Sequence, residues 1–165
     1  MSEKQIIYDV DGYDVITDAL LTLINQYPAL DGDVIKFSTL GNESGKAMFP
    51  ISGAVVESEK KDIIGHVTQV CQYPFYIICR ESGLSEQNRA KVKEWLDNFG
   101  KWLEKKEISV NEENHQLTEY PMLTGERKFL KISRQTPSYL HDATESMAED
   151  WAIHISAQYQ YEYDE

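Results

Sequence analysis

Basic residues and long apolar runs are both scarce in this sequence, and each scarcity argues against a class of protein. The chain has 16 lysines and arginines against 28 aspartates and glutamates, which gives a formal net charge of -12. Nucleic-acid binding needs clustered positive charge to neutralise phosphates, so we expect no specific nucleic-acid binding. No apolar run approaches the roughly 20 residues that span a bilayer, so we expect no membrane association.

Features of export and of disulfide bonding are missing as well. The first residues, MSEKQIIYDVDG, contain acids where a signal peptide has bases followed by an apolar stretch. The two cysteines, Cys71 and Cys79, would lie about 26 Å apart on one extended strand, which is beyond disulfide reach. We therefore expect a soluble, cytoplasmic protein with free, buried thiols.

What the sequence does contain is enough apolar residues for a core. Hydrophobic residues make up 41% of the chain and are spread along it, which argues against wholesale disorder. A length of 165 residues suits one domain of ordinary size. We expect residues 1–165 to form that single domain.

Two segments show the three- and four-residue spacing of amphipathic helices. The first is residues 11–28, with Asp11 as its expected N-cap. The second is residues 84–106, with Ser85 as its expected N-cap. Gly100 weakens the second helix, which suggests that a neighbouring element packs closely there.

The remaining apolar segments are typical of strands. Expected strands cover residues 34–37, 53–61, 65–81, 127–135 and 151–163, and a small hairpin covers 107–121. Pro74 interrupts one of them and predicts a bulge, a bend or an edge position, whereas the polar segment 136–150 predicts a loop. The fold class is therefore α+β: a mostly antiparallel sheet of about four or five strands, with both helices on one face and a small hairpin.

The last strand shows the cleanest alternation, and its end raises a question of function. Tyr159, Tyr161 and Tyr163 continue one apolar face of this strand toward the end of the chain. Tyrosine is favoured at protein interfaces because it combines large contact area with a polar group. The alternatives are an interface with another subunit and a sheet edge that the chain's own helices cover.

The segment STLGNESGKAMFP, residues 38–50, has glycines and a Gly-Lys pair as a phosphate-binding loop does. A Walker A loop needs four residues between its first glycine and the Gly-Lys pair, but Gly41 and Gly45 enclose three. Lys46 is followed by alanine rather than serine or threonine, and Glu43 would repel phosphate. We expect a connection between two strands, long enough to act as a contact loop.

Other residues that could support chemistry do not form a recognised pattern. His66 and His154 fall on expected strands, where they could face each other as a polar cross-strand contact. Glu57 and Glu59 share a strand face that we interpret as solvated. The sequence thus predicts no catalytic residue, no cofactor and no metal, with a small hydrolase of unrecognised site as an alternative.

Five stretches of this chain resemble the minor capsid proteins encoded by tailed phages and prophages of Gram-positive bacteria. They are VIKFSTLGNESGKAMFP, HVTQVCQYPFYIICR, KEWLDNFGKWLEKK, YPMLTGERKFLKISRQ and EDWAIHISAQYQYEYDE. The likeness covers nearly the whole chain, and it lies in the order and spacing of these stretches. In architecture the family is similar to the tail-terminator group.

That resemblance implies a virion protein without catalytic residues. It implies a sheet packed on helices and a ring, expected to be a hexamer, at the tail–head junction. Such a ring caps the tail tube and joins it to the head connector, so the implied partners are further copies of the chain, the tail tube protein and head connector proteins. Assembly would take place in the cytoplasm of the bacterial host. The alternative within the same class is another head–tail connector or head-completion protein.

A ring subunit needs two different patches that meet head to tail. We expect these patches in the Gly41–Pro50 loop and on the terminal strand. The candidate assembly residues are Gly41, Asn42, Glu43, Lys46, Phe49, Tyr159, Tyr161 and Tyr163.

Overall fold

A computed structural model describes residues 5–143 and 147–165 of the chain. In sequence order the elements of this part are α1 (Gly12–Ile24), β1 (Ile35–Phe37), β2 (Gly45–Pro50), β3 (Val55–Lys61), β4 (His66–Ser82), α2 (Glu86–Leu103), β5 (Ile108–Val110), β6 (Glu113–His115), β7 (Arg127–Arg134), β8 (Tyr139–Ala143) and β9 (Ala148–Asp164).

The expected α+β class is confirmed, with a larger sheet than the sequence indicated. Seven strands form one mixed sheet in which β1-β2-β4-β9-β7 are successive neighbours, β3 also pairs with β4, and β8 also pairs with β9. Every pair in it is antiparallel except β1 with β2. The expected small hairpin is β5 with β6.

Two strands replace segments that we expected to be loops. β2 occupies the second half of the 41–50 segment, and β8 occupies part of the 136–150 segment. Residues 148–150 also belong to a strand, β9, while residues 144–146 of that expected loop lie outside the described residues. The sequence pattern did not predict β8, because its residues are partly or fully exposed and show no apolar alternation.

The centre of the sheet is the pair of 17-residue strands β4 and β9. Their register runs without a shift from His66 opposite Asp164 to Ser82 opposite Ala148. Both strands were expected: β9 extends beyond both of its expected ends, whereas β4 is displaced by one residue from its expected range. Cys71 and Cys79 lie on β4 as buried, free thiols.

Pro74 lies in the middle of β4, whose register with β9 has no bulge there, so the expected bulge is wrong. On its other side Pro74 lies in a gap between two strands, which is locally the expected edge position. Beside Pro74, the strand that pairs with β4 changes from β2 to β3. β2 ends with Pro50 opposite Phe75, and β3 begins with Val55 opposite Gln72. In that gap the Pro74 carbonyl accepts a hydrogen bond from the Ile51 N–H, 3.0 Å away. A central strand tolerates this proline because no strand at that position needs its missing N–H.

Both helices pack on one face of the sheet and share one core with it. The buried helix residues are Ile16, Leu20, Leu23, Ile24, Val92, Leu96, Phe99, Trp102 and Leu103, and they join Tyr73, Phe75, Ile77, Ile153 and Ile155 of the central strands. Side chains at the intervening strand positions point to the other face, because successive residues of a strand alternate. We call that other surface the helix-free face.

Of the two expected N-cap residues, Ser85 forms a capping hydrogen bond and Asp11 does not. Ser85 caps α2 as expected, its side chain accepting a hydrogen bond from the Asn88 N–H. Asp11 occupies the N-cap position of α1, but its side chain accepts no capping hydrogen bond. Instead, the Asp9 carboxylate accepts a hydrogen bond from the Gly12 N–H at 3.1 Å.

Candidate assembly surfaces

The Gly41–Pro50 segment divides into an exposed turn and a strand. Gly41, Asn42 and Glu43 are exposed, and the Arg80 guanidinium donates a hydrogen bond to the Gly41 carbonyl. Gly45 begins strand β2 rather than a helix. The context of a phosphate-binding loop is therefore absent from this described segment, and only its first residues form a surface turn.

Lys46 is not a residue of this turn, which corrects one expected surface contact. Its ammonium lies 2.6 Å from the Asp33 carboxylate and over the ring of Trp95, and its side chain is only 15% exposed. Burial lowers the pKa of Lys46, but the pairing with Asp33 outweighs it, so the pKa is raised. The positive charge is thus already matched within the chain.

Phe49 lies on the helix-free face, beside an aromatic cluster. It is opposite Tyr76, which is opposite His154, and directly opposed residues of paired strands point to the same face. The Tyr76 ring centroid is 5.0 Å from that of His154 and 5.7 Å from that of His141. The ring centroid of Tyr139 is 6.0 Å from that of His141. What we call the aromatic band consists of Phe49, Tyr76, Tyr139, His141 and His154.

The three terminal tyrosines differ in depth, although they share a face. Tyr159 is completely buried, and its hydroxyl donates a 2.6 Å hydrogen bond to Asp9. It therefore belongs to the core and not to a surface. Tyr161 and Tyr163 are half-buried neighbours whose rings meet edge to face, and Tyr161 also lies under the Arg127 guanidinium.

Two of the most exposed apolar side chains are adjacent isoleucines that the sequence did not identify as surface residues. Ile63 is 104% exposed and Ile64 is 86% exposed, at the turn between β3 and β4. We call these two residues the apolar knob. The expected strands 53–61 and 65–81 leave residues 62–64 as their connection, but two apolar residues there give no sign that both side chains are exposed.

Hydrogen bonds hold the turn of the apolar knob in shape. The Asp62 carboxylate accepts from the backbone N–H groups of Ile64, at 3.0 Å, and His66, at 2.9 Å. The Asp62 N–H donates to the His66 carbonyl, and Gly65, at φ +90°, donates to the Asp62 carbonyl. Glycine suits this turn because positive φ is costly for residues with a Cβ. The knob is thus presented on a hydrogen-bonded support.

Four acidic side chains lie beside the apolar knob, and three of them are paired with Lys61 or His66. His66 Nδ1 lies 2.9 Å from the Asp164 carboxylate, and Lys61 pairs with Glu165. The carboxylates of this acidic collar are Asp62, Glu162, Asp164 and Glu165.

A second unassigned surface lies beside β7. A cleft of about 510 Å³ is lined on its apolar part by Tyr120, Pro121, Met122, Leu123 and Phe129. Lys105 and Lys128 also line it, as do Glu119 and Arg127, and the Arg127 charge is already paired with Asp9. The Lys105 ammonium lies 4.3 Å from the centre of the Tyr120 ring. We call this surface the basic cleft.

The expected polar pairs on the strands are arranged differently. His66 and His154 do not face each other, because they are opposite Asp164 and Tyr76 respectively. Glu57 contacts Gln72 and Gln158, whereas Glu59 contacts Gln69 on the other face of the sheet. A bulge between Val56 and Ser58 separates the two glutamates, so their expected common face is wrong.

Within residues 5–143 and 147–165, no group of three or more His, Cys, Asp or Glu side chains could hold a metal ion. No helix in that part of the chain is long and apolar enough to span a membrane.

No protein-family model matches the chain. A search of curated proteins likewise finds no significant match.

Proposed function

We propose that this protein is a structural subunit of a tailed-phage virion. In this role it has no catalytic function. Its copies form a ring, expected to be a hexamer, at the tail–head junction. The ring caps the tail tube and binds the head connector, and it assembles in the cytoplasm of the bacterial host. The resemblance of five stretches to phage minor capsid proteins of the tail-terminator kind supports this role.

The structural observation that most supports the proposal is the exposure of apolar side chains on a hydrogen-bonded turn and on a strand face. The apolar knob presents Ile63 and Ile64 to solvent on a hydrogen-bonded turn. The partly exposed Phe49 and Tyr76 of the aromatic band lie on the helix-free face, away from both helices. Contiguous exposed apolar surface marks sites of contact with other proteins.

The test is binding to tail tubes. The purified full-length chain is mixed with tubes polymerised from the tube protein of the same phage, and tube ends are imaged by negative staining. We expect a ring at one end of each tube and an arrest of tube growth. Bare ends, with tubes that grow as they do without the protein, would contradict the proposal.

A deletion in the phage separates the terminator role from the related connector role. Loss of a tail terminator should give tails of abnormal length, because nothing stops polymerisation. Loss of a head-completion or connector protein should instead give filled heads that leak DNA. Normal tails together with leaking heads would replace the terminator proposal by the connector alternative.

A further inference from the structure

We propose that the apolar knob of one copy inserts into the basic cleft of the next copy, forming the head-to-tail contact of the assembly. This inference rests on the proposed function, because it names the contact between subunits that a ring requires. A closed ring of identical chains needs two different patches on each subunit, and the knob and the cleft are two such patches.

The two surfaces lie toward opposite edges of the sheet. At the end of the molecule that contains the knob, the strand order is β3, β4, β9 and β7. The knob joins β3 to β4, whereas the basic cleft lies against β7. Neighbouring strands are about 4.8 Å apart, so two further strand spacings, roughly 10 Å, separate β4 from β7. The knob and the cleft are therefore two separate surfaces of the same subunit, as a head-to-tail contact requires.

The shapes and polarities of the two surfaces are complementary. The knob is convex and aliphatic, with two side chains that contribute almost nothing to the core of their own chain. The cleft is concave, and its lining includes Met122, which is 97% exposed and so free to contact a partner. Methionine adapts to irregular partners because its side chain is flexible and polarizable. Insertion would remove apolar surface from water on both sides of the contact.

Charge favours a second copy over other occupants. The four carboxylates of the acidic collar would approach Lys105 and Lys128 at the rim of the cleft. Opposite charges around an apolar centre favour the correct partner and its orientation. A membrane or a nucleic acid fits less well, because the collar would approach anionic head groups or phosphates. The chain thus contains both halves of a complementary contact.

The test is cysteine cross-linking between two different single variants, Ile64→Cys and Met122→Cys. They are mixed in equal amounts, one of them labelled by mass, and oxidised mildly. Cys71 and Cys79 are buried and compete little. We expect a disulfide-linked heterodimer in the mixture, and much less dimer from either variant alone. Met147→Cys is the matched control for Met122→Cys, because Met147 is also largely exposed, at 78%, but lies outside the cleft.

A heterodimer no more abundant than with the Met147→Cys control would overturn the inference. Tube capping by the wild-type chain is measured separately and distinguishes the two proposals. Capped tubes without the cross-link would support the proposed function and contradict the contact between knob and cleft. The cross-link without capped tubes would support the contact and contradict the proposed function.

A second experiment needs no introduced thiol. The double variant Ile63→Asp, Ile64→Asp should weaken self-association by roughly 10-fold or more, measured by light scattering across a concentration series. Its thermal unfolding midpoint should stay at the wild-type value, because both side chains are exposed. Lys128→Glu should also weaken self-association, and its difference from the wild type should shrink as the salt concentration rises, because salt screens exposed charges. Association of the double variant with wild-type affinity would overturn the inference.

Discussion

The Arg127 guanidinium donates two hydrogen bonds to the Asp9 carboxylate, at 2.7 and 2.9 Å, and both side chains are buried. The same carboxylate also accepts from the Gly12 N–H and the Tyr159 hydroxyl. One buried group therefore connects the segment before α1, the start of α1, and strands β7 and β9. These contacts make Asp9 the position at which we expect the largest effect of a single polar substitution.

Asp9→Ala should lower the free energy of unfolding by about 3–5 kcal/mol, because it leaves the Arg127 charge buried without its partner. The measurement is urea unfolding followed by circular dichroism. Glu165→Ala is the control, since Glu165 pairs with Lys61 at the surface and its loss should cost less than about 1 kcal/mol. Equal losses in the two variants would contradict the prediction.

The Asp9→Ala, Arg127→Met double variant should be more stable than Asp9→Ala alone, because no uncompensated charge stays buried. Unfolding free energies of the two single variants and the double variant give the coupling between the residues. Losses that simply add would show that the two side chains act independently.

Stability should fall in acid. Burial raises the pKa of Asp9, but its hydrogen bonds from Arg127 and Tyr159 outweigh this, and the pKa lies below its usual 3.8. In the same way, Arg134 outweighs burial at Glu104 and lowers that pKa below 4.5. A carboxylate with a lowered folded-state pKa stabilises above its unfolded-state pKa, and this stability disappears as pH falls through the folded value. Urea midpoints should therefore decline below about pH 4.5, and Asp9→Ala should flatten the decline.

His66 should titrate above its usual pKa of 6.5, because its hydrogen bond with Asp164 raises the pKa against a smaller effect of desolvation. A raised pKa means that the pairing stabilises fully below pH 6.5 and is lost as pH rises through the folded value. NMR titration of the imidazole measures this directly. Asp164→Asn should move the midpoint back toward 6.5, whereas Glu165→Gln should leave it unchanged.

Tyr159→Phe should cost about 1.5 kcal/mol or more of unfolding free energy, because it removes a hydrogen bond to a buried carboxylate. Self-association should stay as in the wild type, since Tyr159 is not at the surface. The matched control is Tyr163→Phe, at a half-buried position, where the loss of stability should be small. Weakened association of Tyr159→Phe at unchanged stability would contradict its place in the core.

Gly100→Ala should destabilise the protein by roughly 1–3 kcal/mol, although alanine is the better helix former. A Cβ at this position would lie 2.4 Å from Arg134 Cδ and 3.1 Å from Ile153 Cδ1. Arg134 cannot move freely, because Glu104 accepts hydrogen bonds from its guanidinium. Thermal unfolding measures the loss. In an Arg134→Ala background the same substitution should be far less costly, and an equal cost there would point to another cause.

Sequence periodicity predicted the elements whose apolar residues recur at regular spacing. β9 and β4 were predictable because one face of each is in the core, and α2 because its apolar residues recur every three or four positions. β2 was missed because Gly45 and Pro50 mark its ends and resemble turn residues. The positions of these elements therefore followed from local pattern.

Depth and pairing could not be predicted from local pattern. Alternation gave the face on which Tyr159 lies, but its burial depends on Asp9, 150 positions away. The bulge beside Glu57 reverses the face of that side chain, and no residue type marks the bulge in the sequence. The basic cleft escaped for the same reason, since Lys105 and Lys128 meet only when the chain is folded. Sites built from distant segments need the tertiary structure.

The long register of β4 against β9 also bears on how the chain folds. His66 and Asp164 are 98 positions apart, and Arg80 and Asp150 are 70 apart, so both ends of this pairing close large loops. Proteins dominated by such non-local contacts fold in milliseconds to seconds, because the entropy of loop closure is lost before the contacts form. During synthesis β4 emerges well before β9, with α2 and β5 to β8 between them. The central pair of the sheet therefore forms only after all of these intervening elements have been made.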